Sequence, residues 1–326
     1  MPPKKCKAKN KLHKLAIVIS PGTVITDTRK QKFVIEEHFA QGGFGRIYSE
    51  YGRPKSLAIK IEPKGNGPLF TEITVFQRML KSDLLAAWQE CHSMFKPFLS
   101  HLGLPPHLGS GVFVYKGEEL RFLAMPRYSR SFESYRVECG GKVEPHIALR
   151  IARQCTDCLR YMQDQDYVHG DLKADNILLA SDGDFSRCYL VDFGLARMIK
   201  SNVDKPDKKR AHNGTLTFTS IDAHRGCFPS PRGDLEILSY NLLFWVAGHL
   251  PWQDVEDSPD SVYSKKSDFS ENYETDVRGM VAAEVAKCIV QMLRVAYESP
   301  YNGKIDYSPI NKVSKNFFNF TADYFI

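Results

Sequence analysis

The chain has 326 residues, of which 43% are hydrophobic and 25% charged, and this ordinary globular composition argues against a disordered protein. Its net charge of +6 is uneven: residues 1–32 carry nine basic residues and one acid, which leaves 35 basic and 37 acidic residues in the remainder. Nucleic-acid contact is therefore expected only through a basic arm at residues 1–32. No run reaches the roughly 18 apolar residues of a membrane span. Without an apolar leader, and with only eight cysteines, reduced thiols inside the cell are expected.

From Phe33 onward, short apolar runs alternate with turns. This hydrophobic pattern predicts strands over residues 33–40, 46–51 and 57–62, followed by helices over 69–80 and about 84–98. Two more strands are predicted over residues 111–115 and 120–125. After Pro126 the pattern is mostly helical. It predicts helices over residues 145–165, 234–248 and 275–297, short strands over 177–180 and 188–191, and a mobile basic loop over 197–215.

These elements predict a two-lobed α+β architecture. A small strand-rich lobe covers residues 33–125, and a larger helical lobe covers residues 129–300, with the boundary near residues 126–130. The basic arm at 1–32 and a short C-terminal extension at 301–326 flank the two lobes.

The first chemical signal is the glycine-rich segment from Ala40 to Ile47, between the first two of these strands. Glycines at 42, 43 and 45 leave a turn without side chains, so backbone N–H groups can approach phosphate oxygens closely. This signal is weak alone, because an ordinary glycine-rich hairpin turn explains it equally well.

A second signal is Lys60 on the next strand. Strand alternation points this side chain inward, where an unpaired ammonium group is costly. Glu72, on the helix that follows, can pair with it and hold the lysine on the α- and β-phosphates of a nucleotide. An ordinary surface ion pair is the alternative.

The strongest signal is the run His169-Gly170-Asp171-Leu-Lys173-Ala-Asp175-Asn176, with Asp192-Phe193-Gly194 following thirteen residues after Leu179. Phosphoryl transfer needs a carboxylate that accepts a proton from the attacking hydroxyl, and Asp171 fits that role. Asn176 and Asp192 supply the hard oxygen ligands that magnesium prefers. Lys173 can neutralise charge on the γ-phosphate.

With these motifs, the chain resembles the eukaryotic protein kinases over about residues 33–300, and within them the vaccinia-related kinases of the casein kinase I group. The strings that carry the resemblance are QGGFGRIY, NGPLFTE, YVHGDLKADN, YLVDFGLA, NGTLTFTSIDAH, RGDLEIL and HLPW. It implies the bilobal kinase fold and a serine/threonine protein kinase that uses ATP and magnesium.

The resemblance also assigns roles residue by residue. Asp171, Lys173, Lys60 and Glu72 are the implied catalytic residues, and Asn176 and Asp192 the implied magnesium ligands. The implied ATP contacts are Ala40, Gly42, Gly43, Phe44, Gly45, Ile47, Ala58, Lys60, Met125, Pro126 and Tyr128. Met125 matches the gatekeeper position that precedes a hinge at residues 126–128.

Further positions match structural roles in these kinases. Thr215 stands where a threonine meets the catalytic base and Lys173. Asp234 matches the acid that supports the catalytic loop, and Phe76, His169 and Phe193 match stacked spine positions. Gly170 replaces the arginine that in many kinases pairs with a phosphorylated loop residue. Ala40, Pro126 and Phe193 depart from the family pattern.

The family implies nuclear or chromatin-associated substrates, such as barrier-to-autointegration factor and histones. A monomer is expected, in the nucleus or cytoplasm, with the nucleus favoured. Two alternatives remain open. A small-molecule phosphotransferase of the aminoglycoside type shares His-Gly-Asp and Asn, but lacks a peptide-binding segment such as residues 194–221. A pseudokinase scaffold requires the loss of a catalytic residue, and all of them are present.

Overall fold

The computed structural model describes residues 14–42, 45–52, 56–93 and 101–314. These residues form two compact units. The first takes the chain up to Thr74 together with His107–Arg127, and the second takes Val75–Pro106 and the chain from Tyr128 onward. Residues 75–106, assigned from sequence to the strand-rich lobe, therefore belong to the helical unit.

The first unit is a six-stranded antiparallel sheet in the order β1-β2-β3-β4-β6-β5. Its strands are β1 (Val24–Thr26), β2 (Lys32–Gln41), β3 (Arg46–Glu50), β4 (Leu57–Pro63), β5 (Gly109–Tyr115) and β6 (Glu118–Pro126). Side chains at alternate positions, such as Phe33 and Ile35, are fully buried and form the core of the sheet. Helix α1 (Gly67–Met79) begins in this unit, four residues after β4.

The N-terminal segment corrects the predicted arm. Ala16, Ile19 and Ile25 are buried in the sheet core. The Arg46 side chain donates to the Ala16 carbonyl at 2.9 Å, and the Ile19 amide donates to the Tyr48 hydroxyl at 3.0 Å. An arm that extends to residue 32 is therefore wrong for residues 14–32, because their apolar side chains complete the core. Residues 1–13 lie outside the described residues.

The second unit is mainly helical. Its helices are α2 (Ser82–Ser93), α3 (Phe132–Glu138), α4 (Pro145–Asp164), α5 (Ile221–His224), α6 (Pro231–Ala247), α7 (Pro259–Met280) and α8 (Ala283–Glu298). Strands β8 (Ile177–Ser181) and β9 (Asp184–Leu190) form a hairpin, and β7 (Tyr167–Val168) pairs with β10 (Arg197–Met198). Helix α6 is buried on nearly all sides, as its continuous apolar pattern predicts.

Three expectations for this unit change. The helix expected over residues 275–297 is two helices, because Val281 and Ala282 adopt extended backbone between α7 and α8. The loop expected over residues 197–215 begins with β10 and continues into buried Asn202, whose amide donates to the Pro229 carbonyl at 2.6 Å. Helix α3 was not predicted.

The boundary expected at residue 300 is also wrong. Tyr301, Ile305, Tyr307 and Ile310 are buried against the helical unit. The Gln163 side chain exchanges two hydrogen bonds with the backbone of Ile305, at 2.8 and 3.2 Å. The fold continues through residue 314, and residues 315–326 lie outside the described part. Across the described ranges, no helix combines the length and the apolar character needed to cross a membrane.

Candidate active site

Lys60 and Glu72 form an ion pair in the first unit. The Lys60 ammonium on β4 lies 2.7 Å from a carboxylate oxygen of Glu72 on α1, and the two side chains are 13% and 1% exposed. This burial argues against an ordinary surface pair, since a charge removed from water needs a partner of opposite sign.

Glu62 is a second carboxylate at this position, and the sequence reading missed it. One of its oxygens lies 4.0 Å from the Lys60 ammonium, and the other accepts a hydrogen bond from the Leu69 amide in α1 at 3.3 Å. Glu62 follows Lys60 by two residues on β4, so strand alternation predicts that both lie on one face. A Cβ added to Gly45 would lie 2.6 Å from Cγ of Glu62, and this close packing explains glycine at position 45.

The glycine-rich segment is the turn of the β2–β3 hairpin. Ala40 pairs with Ile47 and Gln41 pairs with Arg46, and the Gly42 amide donates to the Gly45 carbonyl at 2.9 Å. Gly43 and Phe44 lie outside the described residues. The contacts of this turn with a nucleotide stay a prediction.

Three of the implied ATP contacts, which are Ala58, Met125 and Pro126, lie on the neighbouring strands β4 and β6. Ala58 on β4 pairs with Met125 on β6, which is buried, and Leu57 pairs with Pro126. Tyr128 is the first residue of the chain's return to the second unit. Its ring stacks on Tyr189 at 3.9 Å between centroids, and burial, followed by the neighbouring Tyr189, raises the pKa of its hydroxyl.

In the second unit, Asp171, Lys173 and Thr215 form one cluster. The Thr215 hydroxyl donates to Oδ1 of Asp171 at 2.8 Å, and the Thr215 amide donates to the same oxygen at 3.1 Å. The Lys173 ammonium lies 3.1 Å from Oδ2 of Asp171 and 2.9 Å from the Thr215 hydroxyl. The structure therefore brings together the three groups that the sequence matched, across 44 residues of chain.

The backbone around Asp171 is fixed from helix α6. Asp234 accepts hydrogen bonds from the amides of His169 and Gly170, at 2.6 and 2.8 Å. Burial raises the pKa of the Asp234 carboxyl, while His169 and these two amides oppose the increase. About two turns further along α6, the Asn241 side-chain amide donates to the Leu172 carbonyl at 3.0 Å, a contact that sequence reasoning missed.

His169 has a structural position. Its Nδ1 accepts from the Asp171 amide at 3.2 Å, which leaves the proton on Nε2 to donate to the Val191 carbonyl at 3.1 Å. Its ring contacts Phe193, which packs against Phe76 with ring centroids 5.7 Å apart. All three side chains are fully buried, as the spine interpretation predicts.

Asn176 directly precedes β8, and Asp192 follows β9 by two residues, so the two lie at the same end of the hairpin. The Val191 amide donates to the Asn176 carbonyl at 2.9 Å, so the backbones beside the two residues are joined. The Asn176 amide nitrogen donates to the Asp171 carbonyl at 2.8 Å, which leaves its side-chain oxygen as the atom able to bind a cation. Asp192 takes a left-handed backbone conformation, with φ of 62°.

Gly170 is required by the backbone. Its φ is +82°, and an added Cβ would lie 2.9 Å from Cγ of Pro229. Nearby, Asp222 forms a two-point ion pair with Arg232 at 2.7 and 2.8 Å. Sequence reasoning missed this arginine, which lies ten residues further along the chain.

Comparison with known proteins agrees with this geometry. Residues 33–268 match the family described as protein tyrosine and serine/threonine kinase. The chain belongs to the protein kinase family. The predicted family and its α+β fold are thereby confirmed. A solved structure of vaccinia related kinase 3 superposes with a TM-score of 0.81 at 24% identity, and the match covers 94% of this chain and 93% of that one.

The curated relatives place this protein kinase among the vaccinia-related kinases. Serine/threonine-protein kinase VRK1 of Caenorhabditis elegans is 43% identical over 96% of this chain and 51% of its own length. Nucleosomal histone kinase 1 of Drosophila melanogaster is 37% identical over 92% of this chain and 50% of its own length. The probable serine/threonine-protein kinase FPV212 of fowlpox virus is 36% identical over 79% and 85%. The chain thus spans about half the length of the first two.

Proposed function

We propose that this chain is an active serine/threonine protein kinase that transfers the γ-phosphoryl group of ATP to a hydroxyl of a protein substrate. The observation that carries the proposal is the cluster of Asp171, Lys173 and Thr215, which holds a carboxylate and an ammonium 3.1 Å apart. Family membership and the buried Lys60–Glu72 pair support it independently.

The proposed reaction uses each group once. The substrate oxygen forms a bond to the γ-phosphorus as the bond to the bridging oxygen of ADP breaks, and the hydroxyl proton passes to Asp171. Lys173 neutralises the charge that develops on the transferred group. Lys60, oriented by Glu72, binds the α- and β-phosphates.

The donor set also fits magnesium. Asn176 offers an amide oxygen and Asp192 a carboxylate, and hard oxygen atoms are the ligands that this ion prefers. Magnesium held there would neutralise charge on the phosphate oxygens. These two residues would hold it, and the hydrogen bond from the Val191 amide to the Asn176 carbonyl joins the backbone beside them.

A protein substrate is favoured over a small molecule by the segment from 194 to 221. Its residues Thr215–Thr219 are hydrogen-bonded into a turn beside Asp171, a built surface for which a small-molecule phosphotransferase has no need. Intact catalytic residues count against a pseudokinase scaffold.

We further propose chromatin-associated substrates and a nuclear location. The name of the Drosophila relative, a nucleosomal histone kinase, and the lysine-rich residues 1–13 support this. Barrier-to-autointegration factor as a substrate, and the monomeric state, stay predictions.

The test is a radiolabelled phosphorylation assay of the purified chain with ATP and magnesium. The acceptors are casein, histone H3, a small basic chromatin protein and an aminoglycoside. We expect label on serine or threonine of proteins, no transfer by Asp171→Ala or Lys60→Met, and retained ATP binding by Asp171→Ala. Transfer to the aminoglycoside alone, or full activity of Asp171→Ala, would overturn the proposal.

A further inference from the structure

Helix α7 buries a lysine completely. Lys266 is 0% exposed, and its ammonium donates to the carbonyls of Leu216 and Thr219 at 3.0 and 2.6 Å. It forms no ion pair with a carboxylate anywhere in the described ranges. The rings of Trp252 and Tyr240 lie 5.1 and 5.3 Å from the ammonium. Burial of an ammonium group costs desolvation free energy, and contacts with carbonyls and aromatic rings offset it less fully than a carboxylate would. Packing alone therefore does not explain a lysine at this position.

The two carbonyls belong to the turn that carries Thr215. The amides of Phe218 and Thr219 both donate to the Thr215 carbonyl at 2.8 Å, which closes the turn. Trp252 also holds this turn, through a hydrogen bond from its indole to the Thr217 carbonyl at 2.8 Å. Lys266 therefore fixes the residues on either side of Thr217. Thr215, at the start of the turn, contacts Asp171 directly.

The ammonium uses all three of its protons. Its third neighbour is Nε2 of His224 at 3.3 Å, and burial, followed by Lys266 and His212, lowers the pKa of His224 to about 3. His224 is therefore neutral, with Nε2 as acceptor and its proton on Nδ1, which lies 2.8 Å from Nδ1 of His212. A neutral amine has two N–H groups and cannot serve three acceptors.

The surroundings of Lys266 set its charge. Burial lowers the pKa of Lys266 to about 7, and the carboxylates of Glu236 on α6 and Glu256 before α7 oppose the decrease. Burial also raises the pKa of Glu236 to about 7. The other titratable groups that face the ammonium are Tyr240 and the two histidines, which are His212 and His224.

We propose that Lys266 is a positioning residue for phosphoryl transfer. Its ammonium clamps the turn at residues 216–219, so that Thr215 stays against Asp171. In many kinases, a phosphorylated loop residue pairs with an arginine and so orders the loop. Gly170 stands at the position of that arginine and has no side chain. The buried lysine supplies an ordering contact in its place. This inference rests on the proposed kinase function and adds a residue to it.

The test compares Lys266→Met, which keeps the apolar stem, with Lys265→Met as a matched control. Lys265 is the next residue on α7 and pairs with Asp254 near the surface. For Lys266→Met we expect kcat to fall about 30-fold, the scale of losing the hydrogen bond from Thr215 to the charged Asp171, which the clamp keeps in place, while the Kd for ATP changes less than about twofold. Lys265→Met should match the wild type in both.

The possible results separate the two proposals. If the wild type and Lys265→Met transfer no phosphate, the kinase function itself fails. If both are active and folded Lys266→Met keeps the wild-type kcat, Lys266 is only structural. A fall in kcat that equals the fall in ATP-binding-competent protein would also mean a structural role.

If Lys266→Met does not fold, pH profiles of the wild type and Lys266→Arg decide. Deprotonation of Lys266 removes one donor, so wild-type kcat should fall as pH rises above about 7. An arginine stays charged in this range, so the same limb should be absent in Lys266→Arg. Superimposable profiles would overturn the proposal.

Discussion

The Thr215 hydroxyl offers a direct measure of how strongly the Asp171 carboxylate, the proposed catalytic base, is held. It donates to Asp171 at 2.8 Å and accepts from Lys173 at 2.9 Å, and both charged side chains are largely buried, at 16% and 24% exposure. Thr215→Val removes the hydroxyl and keeps the branched shape. Asp171 then retains the Thr215 amide at 3.1 Å and the Lys173 ammonium at 3.1 Å.

The magnitude follows from these contacts. A hydrogen bond to a charged group contributes about 1.5–3 kcal/mol, and the carboxylate keeps its other two partners, so we expect a loss of about 2 kcal/mol. This corresponds to a fall in kcat of about 30-fold. Thr215→Ser, which retains the hydroxyl, should keep kcat within about threefold, because only a methyl group is lost.

Steady-state phosphorylation of a protein acceptor at saturating ATP measures the effect. The matched control is Thr217→Val, two residues further along, whose hydroxyl donates to Glu256 at 2.7 Å rather than to Asp171. Thr217→Val should keep kcat within about threefold, because the hydrogen bond that it removes, to Glu256, does not involve the Asp171 carboxylate. Wild-type kcat in Thr215→Val, or an equal fall in both valine variants, would refute the reasoning.

Three further predictions concern regulation, stability and specificity. Because Gly170 offers no guanidinium to a loop phosphate, enzyme made in bacteria and treated with phosphatase should keep most of its kcat, whereas a loss of roughly a hundredfold would point to another phosphate-binding residue. Arg232→Met removes the arginine that makes two hydrogen bonds to the buried Asp222 carboxylate. It should lower the free energy of unfolding by about 3 kcal/mol, measured by urea denaturation. An unchanged denaturation midpoint would contradict this prediction. Lys208 and Lys209 are exposed on the segment before Thr215, so the wild type should prefer peptides with acidic residues near the target hydroxyl. A variant with both lysines changed to alanine should lose this preference in a peptide library. A wild type that shows no such preference would count against the prediction.

Much of the site was open to prediction because its residues are close in sequence. Asp171, Lys173 and Asn176 lie within six positions, and their residue types alone make them candidates for a proton acceptor, a cation and an oxygen ligand. The pairing of Lys60 with Glu72 could be predicted with one structural assumption, that a strand and the next helix pack together. The 2.7 Å distance between the ammonium and the carboxylate agrees with that assumption.

The sequence-based prediction was wrong for the N-terminal segment and for the end of the fold. Six of the nine basic residues of 1–32 lie in the first fourteen positions, so a charge count over the whole stretch hid the apolar run at residues 15–19, whose Ala16 and Ile19 reach the core. Tyr301 and Ile305 follow the last long apolar period, and their partners are distant in sequence: the Tyr301 hydroxyl donates to the Phe228 carbonyl, and the Ile305 amide donates to the Gln163 side chain. Whether an isolated apolar residue is buried depends on surfaces that the local pattern does not contain.

By itself, the sequence determined the family and the α+β fold class and identified the candidate residues of the run at 169–176, because these depend on short-range patterns and fixed spacings. Only the tertiary structure decided which distant side chains support that run: Asn241 on Leu172, Arg232 on Asp222, and Lys266 on the turn after Thr215. In a sequence, Lys266 is one more charge on a polar helix, next to another lysine. Its role depends on being placed, 47 residues from Thr219, where water is absent and two carbonyls converge.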